Sequence, residues 1–231
     1  MIMSFQSLSV LTDPDVQLLF LHGFAMTIKL FITSAILAYL LGAVLVVLRM
    51  TGWLSSAAVG AFVEYHRNVP SIVQIFVWYF GVPEILPPSA HAWVNTNVGP
   101  FFFAVIALSL NSAAYISEDL RSGMRAVSSG QMEAARALGL SFIKGMGLVV
   151  VPQAVRSAGP ALVNQALGLL KTTSLAMAIG VDELMYVARQ LDGQTYATLP
   201  SYLTPTVIYL ICTLSLMAIG TRLQRSASAA R

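Results

Sequence analysis

The chain has 231 residues, 57% hydrophobic and only 10% charged, with a formal net charge of +3. Soluble globular domains carry about 25% charged residues, so the composition excludes an ordinary soluble enzyme. Only helices or closed barrels satisfy their backbone in lipid; with no period-two alternation of the barrel kind, one all-α membrane domain is expected.

The N-terminus carries Asp13 and Asp15 and no Lys or Arg before Lys29, unlike the basic start of a cleaved signal peptide. Five stretches of about 20 apolar-rich residues are predicted to span a bilayer. They run over about 24–48, 62–82, 99–120, 157–181 and 203–221. Arg49 and Gly52 end the first. The stretch 83–97, with Pro87-Pro88 and Trp93, reads as an interfacial loop. A polar island at about 122–152 separates the third span from the fourth, and Pro160 predicts a kink in the fourth. A polar loop from Asp182 to Pro200 precedes the fifth, and Cys212 alone forms no internal disulfide.

Basic residues set the orientation. With the N-terminus outside, the inner side receives Arg49, Arg121, Arg125, Arg136, Lys144, Arg156, Arg222, Arg225 and Arg231. The outer loops receive Arg189 and the acids Asp13, Asp15, Glu84, Asp182, Glu183 and Asp192. The C-terminus and the polar island at 122–152 are thereby placed in the cytoplasm.

The island reads as a helix–turn–helix. Ser128 or Ser129 is expected to cap the first helix with its side chain, and Glu133 to pair with Arg136. Gly139 suits a left-handed terminator, and Ser141 a second cap. Small residues at Ala134 and Ala135 would let another protein come close; an ordinary amphipathic loop is the alternative.

No GxxxxGK[ST], HExxH, CxxC or GxSxG pattern is present. His22, His66 and His91 sit on separate segments, whereas metal ligands cluster. No catalytic or metal site is expected. Polar residues inside the spans are more informative. Ser71, Gln74 and Trp78 share one face of the second, after Glu64 and Arg67, which are placed to pair. Asn111, Tyr115 and Glu118 form a stripe on the third. Asn164, Gly168, Lys171 and Thr172 share a face of the fourth, with Ser174 close behind. Charge at mid-bilayer is costly unless it faces water or a partner, so these stripes suggest a shared hydrophilic path. Interhelical hydrogen bonding would use the same residues.

Several of these segments resemble those of one family. Glu133-Ala134-Ala135, Gly139, Val149, Val151 and Pro152 stand at the spacing of the EAA loop of ABC-importer permeases, with Val where the family usually has Ile and Leu. Arg67-Asn68-Val69-Pro70-Ser71-Ile72-Val73-Gln74, the run from Ser112 to Glu118, Pro152-Gln153-Ala154 and the run from Leu169 to Leu175 resemble motifs of polar-amino-acid permeases. The stretch 67–87 is most similar to permeases for glutamate and aspartate. The resemblance implies the five-helix type I importer core, multi-pass in a bacterial cytoplasmic (inner) membrane. Its partners would be an ABC ATPase dimer carrying ATP and Mg, a second permease protomer (sister or identical), an extracytoplasmic amino-acid-binding protein and the amino-acid substrate. This chain would bind no cofactor and no nucleic acid. Glu133, Ala134, Ala135, Arg136 and Gly139 would dock on the ATPase. Arg67, Ser71, Gln74, Tyr115, Glu118, Asn164, Lys171, Thr172 and Ser174 would line the path. Many relatives have Asp where this chain has Thr172, which points from cationic substrates toward acidic ones, with glutamine or another polar amino acid as the alternative. A secondary transporter or channel is the rival of a different class. A membrane enzyme would need a nucleophile, base and orienter that no span supplies.

Overall fold

The computed structural model describes residues 5–229, so Arg231 lies outside the described residues. Those residues are nearly all helical, with no strand among them. A 3-10 stretch, Phe5–Thr12, leads into α1, Pro14–Arg49. The helix starts well before the expected boundary at residue 24 because it is capped early. The Asp13 carboxylate accepts the Asp15 N–H at 2.9 Å, and Pro14 fills the first turn, where its missing N–H costs nothing. At about 1.5 Å per residue, the 36 residues of α1 outreach a hydrocarbon core of about 30 Å. Its buried positions recur every three or four residues from Val16 through Leu30 to Val46, while Leu18, Leu21 and Leu40 point outward.

The expected second span is not one helix. It consists of α2 (Trp53–Asn68), α3 (Ser71–Phe76), a π-type turn (Val77–Gly81) and α4 (Val82–Glu84). Pro70 causes the break: it has no N–H to donate and pushes Val69 into the extended region, at φ −95° and ψ 129°. The expected interfacial loop is also corrected, since most of it forms α5, Pro88–Asn97. Pro88 occupies the first turn of that helix, where proline is preorganised.

The central helix is α6, Pro100–Arg125. It packs mainly on α1, and the two run in the same direction. Lys29 lies 4.9 Å over the Phe101 ring near one end, and Arg49 pairs with Glu118 near the other. The chain from α2 to α5 therefore returns along the length of the molecule. Gly42 permits the close approach: a Cβ there would lie 2.6 Å from Ile116 Cγ2.

The polar island folds as α7 (Ser129–Ala137) and α8 (Phe142–Gly145). A π-type turn, Met146–Val150, joins α8 to α9, Val151–Thr172, which contains Pro160 and tightens into a 3-10 stretch, Thr173–Ile179. Last come α10 (Leu184–Thr195) and α11 (Thr198–Ala229). Four helical segments are long and apolar enough to cross a membrane: Pro14–Arg49, Pro100–Arg125, Phe142–Ile179 and Thr198–Gln224. Leu30, Ile75, Leu108 and Leu169 centre the main core, while Val16, Phe20, Leu184 and Leu191 pack α1 against α10.

Candidate functional site

The α7–α8 hairpin closes largely as its sequence predicts. Gly139 adopts φ +81°, the left-handed region, and its N–H donates to the Arg136 carbonyl at 3.0 Å. The Leu140 N–H reaches the Ala135 carbonyl at 3.1 Å, and Ser141 Oγ accepts the Lys144 N–H at 3.4 Å. Three expectations are corrected. Ser128 stands at the cap of α7, but its side chain makes no capping bond. Glu133 and Arg136 form no ion pair, both being extended into solvent. Ala135 faces inward, 3% exposed, because α7 packs on α8 there. Gly145 makes room for that contact, since a Cβ would lie 2.9 Å from Met132 Sδ. The outward face carries Glu133, Ala134, Arg136 and Leu138, with Ile143 beyond the turn. Leu138 is 84% exposed and Ile143 is 81% exposed.

The polar residues of the second and third predicted spans meet at the break made by Pro70. Gln74 is buried there. Its amide donates to the carbonyls of His66 (2.9 Å) and Val69 (2.8 Å), and its Oε1 lies 2.6 Å from His66 Nδ1. Asn111 Nδ2 also donates to the His66 carbonyl, at 2.7 Å, and its Oδ1 accepts from Ser71 Oγ at 3.3 Å. The Tyr115 hydroxyl donates to the Arg67 carbonyl at 3.0 Å, and the Arg67 guanidinium lies 5.3 Å from the Tyr115 ring centroid. Helix ends leave carbonyls without partners; side chains from α3 and α6 supply them here. Interhelical bonding thus accounts for Gln74 and Asn111, while Arg67 remains exposed. Glu64 bonds to Asn68 Nδ2 at 2.9 Å instead of pairing with Arg67.

Glu118 points away from this network. It holds Arg49 at the end of α1 and accepts from Arg121 Nε at 3.1 Å, tying the C-terminal ends of α1 and α6 together. The next residue, Asp119, accepts from Gln165 of α9 at 2.9 Å. Asn164 and Lys171 lie exposed on α9. Thr172 Oγ1 donates to the Leu169 carbonyl (2.9 Å), and Ser174 Oγ donates to the Lys171 carbonyl (2.8 Å), at the step from α-helix to 3-10 turn. A cation in the last turn of α9 also complements the helix dipole. Hydrogen bonds join the stripes of the second and third predicted spans, while the stripe of the fourth presents Asn164 and Lys171 on an exposed side of α9.

Sequence reasoning missed the role of Glu183, which it placed in an outer loop. The residue is completely buried and caps α10, accepting the N–H groups of Met185 (3.0 Å) and Tyr186 (2.9 Å). The Tyr209 hydroxyl lies 3.0 Å from its Oε2. Burial pushes the Glu183 carboxyl up to about 7, against the opposing pull of these bonds. An acid directly before the run Leu184-Met185-Tyr186-Val187 is a capping signal that could have marked it. Among the described residues, no group of three or more His, Cys, Asp or Glu is placed to hold a metal.

Residues 36–229 match the family model described as binding-protein-dependent transport system inner membrane component. The arginine transport system permease protein ArtQ of Bacillus subtilis (strain 168) is 34% identical over 219 residues, covering 93% of this chain and 94% of ArtQ. The glutamate/aspartate import permease protein GltJ of Escherichia coli (strain K12) is 32% identical, covering 88% of this chain and 85% of GltJ. A crystal structure of an amino acid ABC transporter with histidines superposes with a TM-score of 0.83 at 29% identity, covering 98% of this chain and 100% of that one.

Proposed function

The chain belongs to the binding-protein-dependent transport system inner membrane components, and from that premise we propose that it forms the translocation path of an ATP-driven importer for polar amino acids with a carboxylate side chain. It is a multi-pass inner-membrane permease subunit of an ABC importer, and ATP hydrolysis belongs to a separate subunit. In the proposed assembly, the outward face of α7 and α8 docks on that ATPase. A second permease protomer, sister or identical, faces this one, and an extracytoplasmic binding protein delivers the substrate. The broken segment α2–α4 makes the fifth crossing. The parallel course of α1 and α6 supports this, because the chain between them must return to the outer side.

The observation that carries the substrate class is Lys171. It is exposed on α9, has no anionic partner among the described residues, and is followed by Thr172 instead of a carboxylate. A cation held without a counter-ion suits a passing anionic side chain. An arginine substrate, suggested by the name of ArtQ, would meet repulsion here.

The test is substrate-stimulated ATP hydrolysis by the reconstituted complex, binding protein included, with glutamate, glutamine and arginine. Thr172→Asp would set a like charge about 5 Å from a passing carboxylate. At an effective dielectric of about 20, the repulsion is roughly 3 kcal/mol before Lys171 offsets part of it. Glutamate stimulation is expected to fall more than glutamine stimulation. Equal falls, or stronger stimulation of the unaltered complex by arginine, would sink the acidic assignment.

A further inference from the structure

A cavity of about 810 Å³ opens beside the first half of α9, at the end of that helix away from Lys171. Its lining includes Gln153, Arg156 and Ser157 of α9, Ser128 and Gln131 at the start of α7, and Leu223 of α11. No Asp or Glu lines it. Arg156 is exposed and belongs to none of the ion pairs among the described residues. The cavity therefore holds a guanidinium without a carboxylate.

Gln153 supplies a second polar group of defined direction. Its Nε2 donates to the Val149 carbonyl at 3.0 Å and to Gln131 Oε1 at 3.3 Å. A carbonyl only accepts, so the amide nitrogen is fixed on that side. Gln153 Oε1 accepts no hydrogen bond among the described residues and is left for a donor. Residues three apart on a helix are neighbours, so this oxygen and the Arg156 guanidinium are presented side by side. One group takes an anion and the other a cation with hydrogens to give. An α-amino acid carries both on one carbon, as carboxylate and ammonium.

The cavity is also continuous with the residue that carries the substrate reading. Ser157, Asn164 and Lys171 are seven residues apart, all exposed. Seven residues bring a helix back to within about 20° of the same face. A polar row thus runs along α9 from the cavity to Lys171, roughly 22 Å from Arg156 at about 1.5 Å per residue. An isolated cation that attracts a passing anion also retains it, and passage is eased by a further site that receives it.

We propose that this cavity is a second amino-acid site, the exit station of the path, where Arg156 takes the carboxylate and Gln153 Oε1 the ammonium group of the substrate leaving Lys171. It reads the head common to α-amino acids, whereas Lys171 reads the side chain. The inference rests on the importer reading and on the orientation that places this end of α9 at the cytoplasm.

The experiment uses the full reconstituted complex with Ser157→Cys in a Cys212→Ser background, which leaves this chain one thiol, in the cavity. Its modification by a small thiol reagent is followed by the mass of this chain. Glutamate and glutamine share the same head and are expected to slow modification equally. Glutarate, which lacks the ammonium group, is expected to slow it less, and Arg156→Gln to abolish protection. In uptake with ATP and binding protein, Arg156→Gln is expected to keep the half-maximal glutamate concentration while maximal uptake falls about tenfold, the worth of a charged hydrogen bond. Arg156→Lys should restore part of that rate, whereas a merely structural role would alter the yield of complex alone. Protection by phosphatidylglycerol but not by glutamate would assign the cavity to a lipid headgroup. That result, equal protection by glutarate, or unchanged maximal uptake in Arg156→Gln overturns the proposal. Protection by glutamate in a complex that takes up no amino acid overturns the importer reading instead.

Discussion

Gln74 shows how one side chain closes the gap that Pro70 opens. Its amide group serves His66 and Val69 from a site with no access to water. Gln74→Leu preserves much of the volume and strands these partners, at a cost of about 3 kcal/mol. The melting temperature of the purified protein in detergent should fall accordingly, and an unchanged value would contradict the bonding described. The sequence announced the polarity of this residue but not its target. An apolar run carries no sign that its backbone is broken, although Pro70 stood in plain view. Glu183 was legible only as an acid in a loop, because its burial depends on α1 and α11, distant in sequence. Its carboxyl is raised from 4.5 to about 7, so the folded chain holds a proton that the unfolded chain releases between those values. Its contribution to stability is therefore fully present below about pH 4.5 and is lost as pH rises to about 7. The difference in melting temperature between the unaltered chain and Glu183→Gln should change across that window and flatten above it. A constant difference would contradict the shift.

Among the elements, the α7–α8 hairpin was the most legible, since its turn is written in local chemistry at Gly139 and Ser141. Its inward and outward faces were not legible, because a run of alanines carries no amphipathic signal. With Ala135 packed inside, Ala135→Trp overfills the hairpin itself, at about 1–3 kcal/mol. Ala134→Trp, on the outward face, should leave the unfolding free energy of the isolated chain within about 0.5 kcal/mol of normal. It should nevertheless reduce co-purification of the ATPase. Undiminished co-purification would count against docking on that face. Glu118 marks a different limit of sequence reading: a stripe on one helix does not tell which neighbour it faces. Its pairing with Arg49 and Arg121 makes it a tie between α1 and α6. Glu118→Gln leaves two half-buried guanidinium groups without a carboxylate and should destabilise by about 1–3 kcal/mol. A melting temperature equal to that of the unaltered chain would deny the tie.

For the whole molecule, the all-helical membrane class follows from composition, and the four long helical segments follow from apolar length. The broken segment escaped the same logic. The orientation also rests on the uneven distribution of basic residues. Cysteines placed at Asp13 and Asp192 should react with impermeant reagent from outside, and one at Lys144 only from inside; outside labelling at Lys144 would contradict that orientation. In the proposed importer this chain conducts amino acids only when an ATPase drives it. Uptake of radiolabelled glutamate into sealed proteoliposomes tests this most directly, with the chain alone and with its permease partner, ATPase and binding protein. Accumulation is expected only in the complete assembly with ATP inside. Accumulation by this chain alone, driven by an ion gradient without ATP, would contradict it.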